Sequence, residues 1–419
     1  MSKAKINFGF FALLTTIIWF FLGFYSGEDS LGGAKHDYLY HEKYLFQFSN
    51  ELLNTLSEYG NNSEVRNSPV FYIIFSLIYR IEHGLEFFKY VNLFTIILLI
   101  YLFNKCLSLK FIDLSSQSRF FLISCILLSP TIRSLANYPY PLLYGLSFFL
   151  ISIFFFIKFR KNKNLKLLNA SFCILNLSIA SYFTPNFSAF IIFYFYHFFL
   201  KFNNLRSILY LIFFSLCLSV PALFFVMWKN FYLFKNTVTE ISIYEKINIF
   251  NKVIIIFSFL IFFFIPFMKK NNFYFNNIKK KISKNLIIIF IFLLTCFFFY
   301  DYRPNIGGGI FVKLSYIFFQ NNFIIFSVFF FAVIFFNLNN FINLNNVIII
   351  IVLILYNLQY SIYYKYFDPL LFFIFLFLFK FYSKEKLDLN KISKKYFIFY
   401  IFFLIMNIYK AKIIKILFI

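Results

Sequence analysis

Several long stretches of this chain offer almost nothing for water to solvate. Residues 253–267, 286–300, 323–336 and 371–379 are apolar on every face. The strands of a membrane barrel alternate polar and apolar positions, and these runs do not. In hydrocarbon each unmet backbone group costs several kcal/mol, so an apolar run of this kind closes its own hydrogen bonds as a helix. The pattern predicts an all-α polytopic transmembrane bundle of about 13 spans. They lie at residues 8–24, 90–102, 120–128, 142–157, 167–182, 187–200, 208–226, 254–267, 286–300, 317–336, 347–357, 369–381 and 396–408. Residues 69–81 start at Pro69, end in charge and are too short to cross, so they read as interfacial or re-entrant. The whole of 1–419 reads as a single transmembrane domain, with a first extracytoplasmic loop over 25–86.

Composition agrees, with 61% of residues hydrophobic and 13% charged, against about half and a quarter in soluble domains. The net charge of +24 changes the picture only through its distribution. Basic residues gather in short gaps, as at 158–166, 269–284 and 384–395. With Lys3 and Lys5 holding the N-terminus in the cytoplasm, every such cluster falls inside. No motif or basic reading helix points to a nucleic-acid partner; anionic membrane lipids are the partners this charge fits. No small-residue cleavage site follows residues 8–24, so that run reads as the first span. The five cysteines lie in or beside apolar runs without metal or pairing spacing, and read as small apolar fillers.

The acidic residues fall on the other side: nine of the 16 lie between Glu28 and Glu86. Acids follow the topology rule weakly, which leaves an external site with carboxylates as one explanation and a merely solvated loop as the other. In the first loop His36 and His41 flank Asp37, just after Gly32-Gly33. Residues 37–56 fit an amphipathic surface helix with Tyr44, Leu45, Phe48, Leu52 and Leu56 near one face, and Asp37 and His41 stacked one turn apart. The spacing of His36, Asp37 and His41 matches no standard metal signature. No cofactor is therefore expected, with a divalent metal as the alternative.

The order of an inside N-terminus, one helix, a long outer loop with an early Asp, a Ser68-Pro69-led apolar segment and a many-helix bundle resembles the GT-C superfamily of membrane glycosyltransferases. Protein O-mannosyltransferases and lipid A aminoarabinose transferases are members. The local matches are Asp37, the run from Asn67 to Tyr72, Ser129-Pro130-Thr131, and the run from Tyr364 to Leu370. The resemblance implies a polyprenyl-phosphate-linked sugar donor, a glycan, lipid or protein acceptor, and transfer with inversion on the extracytoplasmic face of a bacterial inner membrane. It places the general base at Asp37. The cations for the leaving phosphate come from Arg303, Lys313, Lys365, Arg66 and Arg133, and the cavity lining from His36, His41, Asn137, Tyr138, Asn186 and Asp301. The second outer loop, 132–141, carries no carboxylate where many members have one; either Asn137 or Tyr138 fills that place, or the second acid is dispensable, or the chain is a distant member with altered activity.

Two other functions compete. A lipid-linked polysaccharide polymerase or ligase carries its long outer loop late in the chain, and here it comes first. A transporter or flippase shows internal repeats and charges in mid-span, and this chain shows neither. No nucleotide-binding motif is present, so any donor arrives already activated.

Overall fold

The computed structural model of the protein describes residues 7–61, 67–81, 85–162, 164–229, 248–268, 289–302, 307–339, 341–357, 361–381 and 388–417. Its helices gather into two compact units, one of Met1–Val238 with Asp388–Ile419 and the other of Thr239–Leu387. Among the described residues there is no strand. Among the described residues six helices are long and apolar enough to cross a membrane, or seven if one bent pair is a single span. The chain is an integral membrane protein on that ground.

The first unit holds α1 (Phe8–Tyr25), α2 (Ala34–Asn50), α3 (Leu52–Glu58), α4 (Val70–Tyr79), α5 (Leu85–Lys110), α6 (Ser116–Leu128), α7 (Pro130–Asn137), α8 (Pro141–Lys161), α9 (Lys166–Phe183), α10 (Phe190–Lys201) and α11 (Leu205–Trp228). The chain returns to it through α18 (Leu389–Leu417). Serine and proline decide the α6–α7 break. Ser129 accepts from the Ile132 N–H as a cap, Pro130 opens α7, and the two helices meet at 56°. At about 1.5 Å per residue, the 10 residues of α4 reach half-way through hydrocarbon.

Side-chain bonds sort the helix ends of this unit. The first loop shares its end with the start of α8, where Tyr144 Oη donates to Asn92 Oδ1 of α5 at 2.6 Å. It also shares it with the end of α11, where Lys229 donates to the Ser57 carbonyl. At the opposite end Ser118 donates to Asn390 Oδ1 at 2.8 Å, and Lys161 donates to the Leu109 carbonyl. Glu28, Asp29, Asp37, Glu42 and Glu58 thus sit at one end with Lys35, Lys43 and Lys229, and Lys110, Arg119, Lys158 and Lys391 at the other with Asp113 and Asp388.

The second unit holds α12 (Ile249–Phe264), α13 (Ile289–Phe298), α14 (Gly309–Phe319), α15 (Phe323–Leu338), α16 (Leu344–Tyr356) and α17 (Leu370–Phe377). Helix α12 is its core: Phe264 meets Phe336 and Phe375, both at 5.4 Å between ring centroids. The span expected at 317–336 is not one helix. Gln320 takes a left-handed conformation and Asn321 Oδ1 accepts from the Phe323 N–H at 2.9 Å, so a Gln-Asn-Asn run ends α14 and starts α15. Asn346 clamps the far end of α17, accepting from the Lys380 N–H at 2.9 Å and donating to its carbonyl at 2.8 Å.

Three consecutive glycines, Gly307, Gly308 and Gly309, have φ of +76°, +77° and +77°. Only glycine adopts this conformation cheaply. The turn lets the Gly308 N–H donate to the Ile362 carbonyl at 2.9 Å. A Cβ on Gly308 would stand 2.9 Å from both Val312 Cβ and the Tyr302 ring. Gly308→Ala is therefore expected to cost roughly 1–2 kcal/mol in backbone strain and to lower the thermal midpoint of the detergent-purified protein. An unchanged midpoint would show that the turn is not held this way.

Candidate functional site

The first loop is locked onto α7 by a polar network at the end of α1. Arg133 is 2% exposed. Its Nε donates to Glu28 Oε1 at 2.8 Å and Oε2 at 3.0 Å, and its Nη2 donates to Glu28 Oε2 and, at 2.9 Å, to the Trp19 carbonyl. The guanidinium also lies against the Trp19 and Phe20 rings, 5.5 and 5.8 Å from their centroids. Gly23 gives room for the pair, since any Cβ there would collide with Glu28 and Arg133. Asn137 donates to the Glu28 carbonyl at 3.1 Å, and Tyr138 Oη to the Gly27 carbonyl at 3.1 Å.

The next residues continue the lock. Ser30 Oγ donates to the Pro130 carbonyl at 2.8 Å, and the Leu31 N–H donates to Ser134 Oγ at 2.9 Å. Asp29 caps the start of α2 in place of Gly33, accepting from the N–H groups of Gly32 at 3.0 Å and Lys35 at 3.2 Å. Helix α2 thus begins at a fixed point, and Asp37 stands half-buried in its first turn. His36 beside it is exposed.

Below Asp37, α2 packs on α4. Tyr38 Oη donates to Glu42 Oε1 at 3.0 Å, and its ring lies 6.4 Å from that of Tyr138. Burial, with the Glu42 carboxylate beside it, pushes the Tyr38 phenol far above its ordinary pKa, so it remains a hydrogen-bond donor. Burial also raises Tyr138, helped by Asp29. His41 is 1% exposed, with Nδ1 2.7 Å from Tyr72 Oη and its ring 4.8 Å from that of Tyr140. Tyr44, Leu45 and Phe48 are buried as expected, while Leu52 and Leu56 are half-buried on the separate helix α3. The expected single helix over 37–56 breaks at Glu51. There Arg80 Nε takes the Ser49 carbonyl at 2.6 Å and Thr55 Oγ1 takes that of Gln47 at 3.1 Å.

Three readings of the sequence change. Arg133 does not offer an open cation to a phosphate: its side chain is 1% exposed and its charge is met by Glu28, leaving only Nη1 of the guanidinium without a partner. Asp37 and His41 are a turn apart but differ in surroundings, the one half-buried and the other sealed among aromatic rings. Asn137 and Tyr138 hold the first loop rather than line a space. Asn186 is half-buried in a short turn, Pro185–Ala189.

In the second unit Asp301 accepts from Asn248 Nδ2 at 2.9 Å and Asn251 Nδ2 at 2.6 Å, tying the end of α13 to the start of α12. Lys313 is half-buried on α14, and Lys365 lies 5.4 and 5.6 Å from the ring centroids of Tyr363 and Tyr366. Arg66 and Arg303 lie outside the described residues. Sequence reasoning missed two residues. Glu28 carried a signal, as the first acid after α1 opposite an arginine of the second loop. Lys252 carried none, since one lysine at the edge of an apolar run reads as a cap. Among the described residues no three His, Cys, Asp or Glu side chains gather as metal ligands would. Comparison with protein-family models, curated proteins and solved structures returned no match.

Proposed function

We propose that the protein is an integral membrane glycosyltransferase. It moves a sugar from a polyprenyl-phosphate carrier to an acceptor hydroxyl on the extracytoplasmic face. Asp37 is the general base that takes the hydroxyl proton as the anomeric carbon is attacked, and a single displacement inverts that carbon. The observation that supports this reading is the anchoring of α2. A base must be held within a few tenths of an ångström of its proton, and the network of Glu28, Asp29, Arg133 and Ser134 fixes the turn from which Asp37 projects. Arg133 acts here as a positioning residue. Of the cations that the resemblance implies for the leaving phosphate, Arg66 belongs to the same unit as Asp37. The count of about 13 crossings belongs to this reading as well, and it needs the shorter apolar helices other than α4 to cross too.

The test is transfer itself. Membranes holding the protein are incubated with polyprenyl phosphates carrying a labelled sugar, and the label is followed into glycan, lipid and protein fractions. Label that appears only when the protein is present carries the reading. Equal label in membranes without it, across a panel of donor sugars, overturns it.

A further inference from the structure

Lys252 lies in the first turn of α12, within a helix long and apolar enough to cross a membrane, and is 2% exposed. An ammonium carries three donors. Among the described residues its one partner is the carbonyl oxygen of Asn357, at the end of α16. Its helix neighbour Asn251, with Asn248, engages Asp301, and Lys252 makes no ion pair with that carboxylate. A buried charge without a counter-charge costs several kcal/mol, and a well-packed apolar side chain would be more stable there. Ionisable residues kept inside membrane spans despite that cost mark binding sites and pathways.

We infer that Lys252 is an anion-binding residue whose ligand is a phosphate group carried on a lipid. Asn357 holds the amine in place, and no other described residue takes the remaining two hydrogens, which are left for ligand oxygens. A phosphate ester keeps its charge at every physiological pH and has oxygens for both. A lipid tail suits a site at the end of an apolar helix. The choice of a lipid-borne phosphate rests on the donor class proposed above; the anion site itself rests on the burial and bonding of Lys252.

Thermal unfolding of the detergent-purified protein tests it, with polyprenyl phosphate, uncharged polyprenol, phosphatidylglycerol and inorganic phosphate as separate probes. Polyprenyl phosphate is expected to raise the wild-type midpoint, and polyprenol and inorganic phosphate are not. Lys252→Met is expected to abolish that shift and Lys252→Arg to keep part of it. Ligand-free Lys252→Met is expected to melt at or above the wild-type midpoint, because it removes an unmatched charge. A Lys252-dependent shift with phosphatidylglycerol supports the anion site and assigns its ligand to bilayer headgroups. The inference is overturned if wild type shows no shift with any phosphate lipid, or if Lys252→Met shifts as wild type does. A lowered ligand-free midpoint for Lys252→Met also overturns it, since the amine would then be structural. The assay reads binding and not transfer. A Lys252-dependent shift in a protein that transfers no sugar therefore removes the transferase reading alone. Sugar transfer with a Lys252-independent shift removes this inference alone.

Discussion

Asp37→Asn is expected to lower sugar transfer by about 10²–10⁴-fold, the range that a positioned general base contributes. The amide keeps the size and polarity of the carboxylate but cannot take a proton. Asp37 is half-buried in the first turn of α2, and that turn is capped by Asp29 rather than by Asp37, so the substitution leaves the cap in place. The loss should appear in kcat, with the thermal midpoint near that of wild type. Asp37→Glu keeps the base but moves it by about one methylene, and is expected to retain part of the rate. Full transfer by Asp37→Asn would remove Asp37 as the base and leave the anchored loop as a structural device.

The second large effect is on stability. Arg133→Met is expected to cost about 3–5 kcal/mol, because it leaves the Glu28 carboxylate in a mostly buried place without its cation. Glu28 is 14% exposed at the side chain and Arg133 1%, so solvent screens the pair little. Glu28→Gln should be destabilising for the complementary reason. The double variant Arg133→Met with Glu28→Gln removes both charges and is expected to recover a good part of the loss, a coupling that thermal unfolding of the four proteins measures. Additive losses would mean that the two side chains do not act as a pair. If Arg133 instead met a ligand phosphate, Arg133→Met would raise KM for the donor and leave the midpoint unchanged.

The elements that the sequence disclosed are those with local causes. The apolar runs at 8–24, 142–157 and 208–226 became α1, α8 and α11 within a few residues, because in hydrocarbon a helix alone satisfies its own backbone. The face of Tyr44, Leu45 and Phe48 was visible for the same kind of reason: a period of 3.6 needs no knowledge of what lies opposite. The Ser68-Pro69 pair stood at the start of the apolar segment that became α4, whereas Ser129-Pro130, read as the opening of an outer loop, starts α7.

Other features depend on residues far apart in the chain. Whether Arg133 offers a cation or holds a loop turns on Glu28, 105 residues away. The break at Glu51 turns on Arg80 reaching back to the Ser49 carbonyl, and no helical period reports that. Lys252 looks like an ordinary flanking lysine until α16 and the Asp301 segment close around the start of α12. The division into two units is likewise a matter of which helices pack together. Hydropathy, being a local free energy, determined that this chain is helical and that it lives in a membrane. The fate of each charge depends on the solvent and partners that folding leaves it, and those the tertiary structure alone decided.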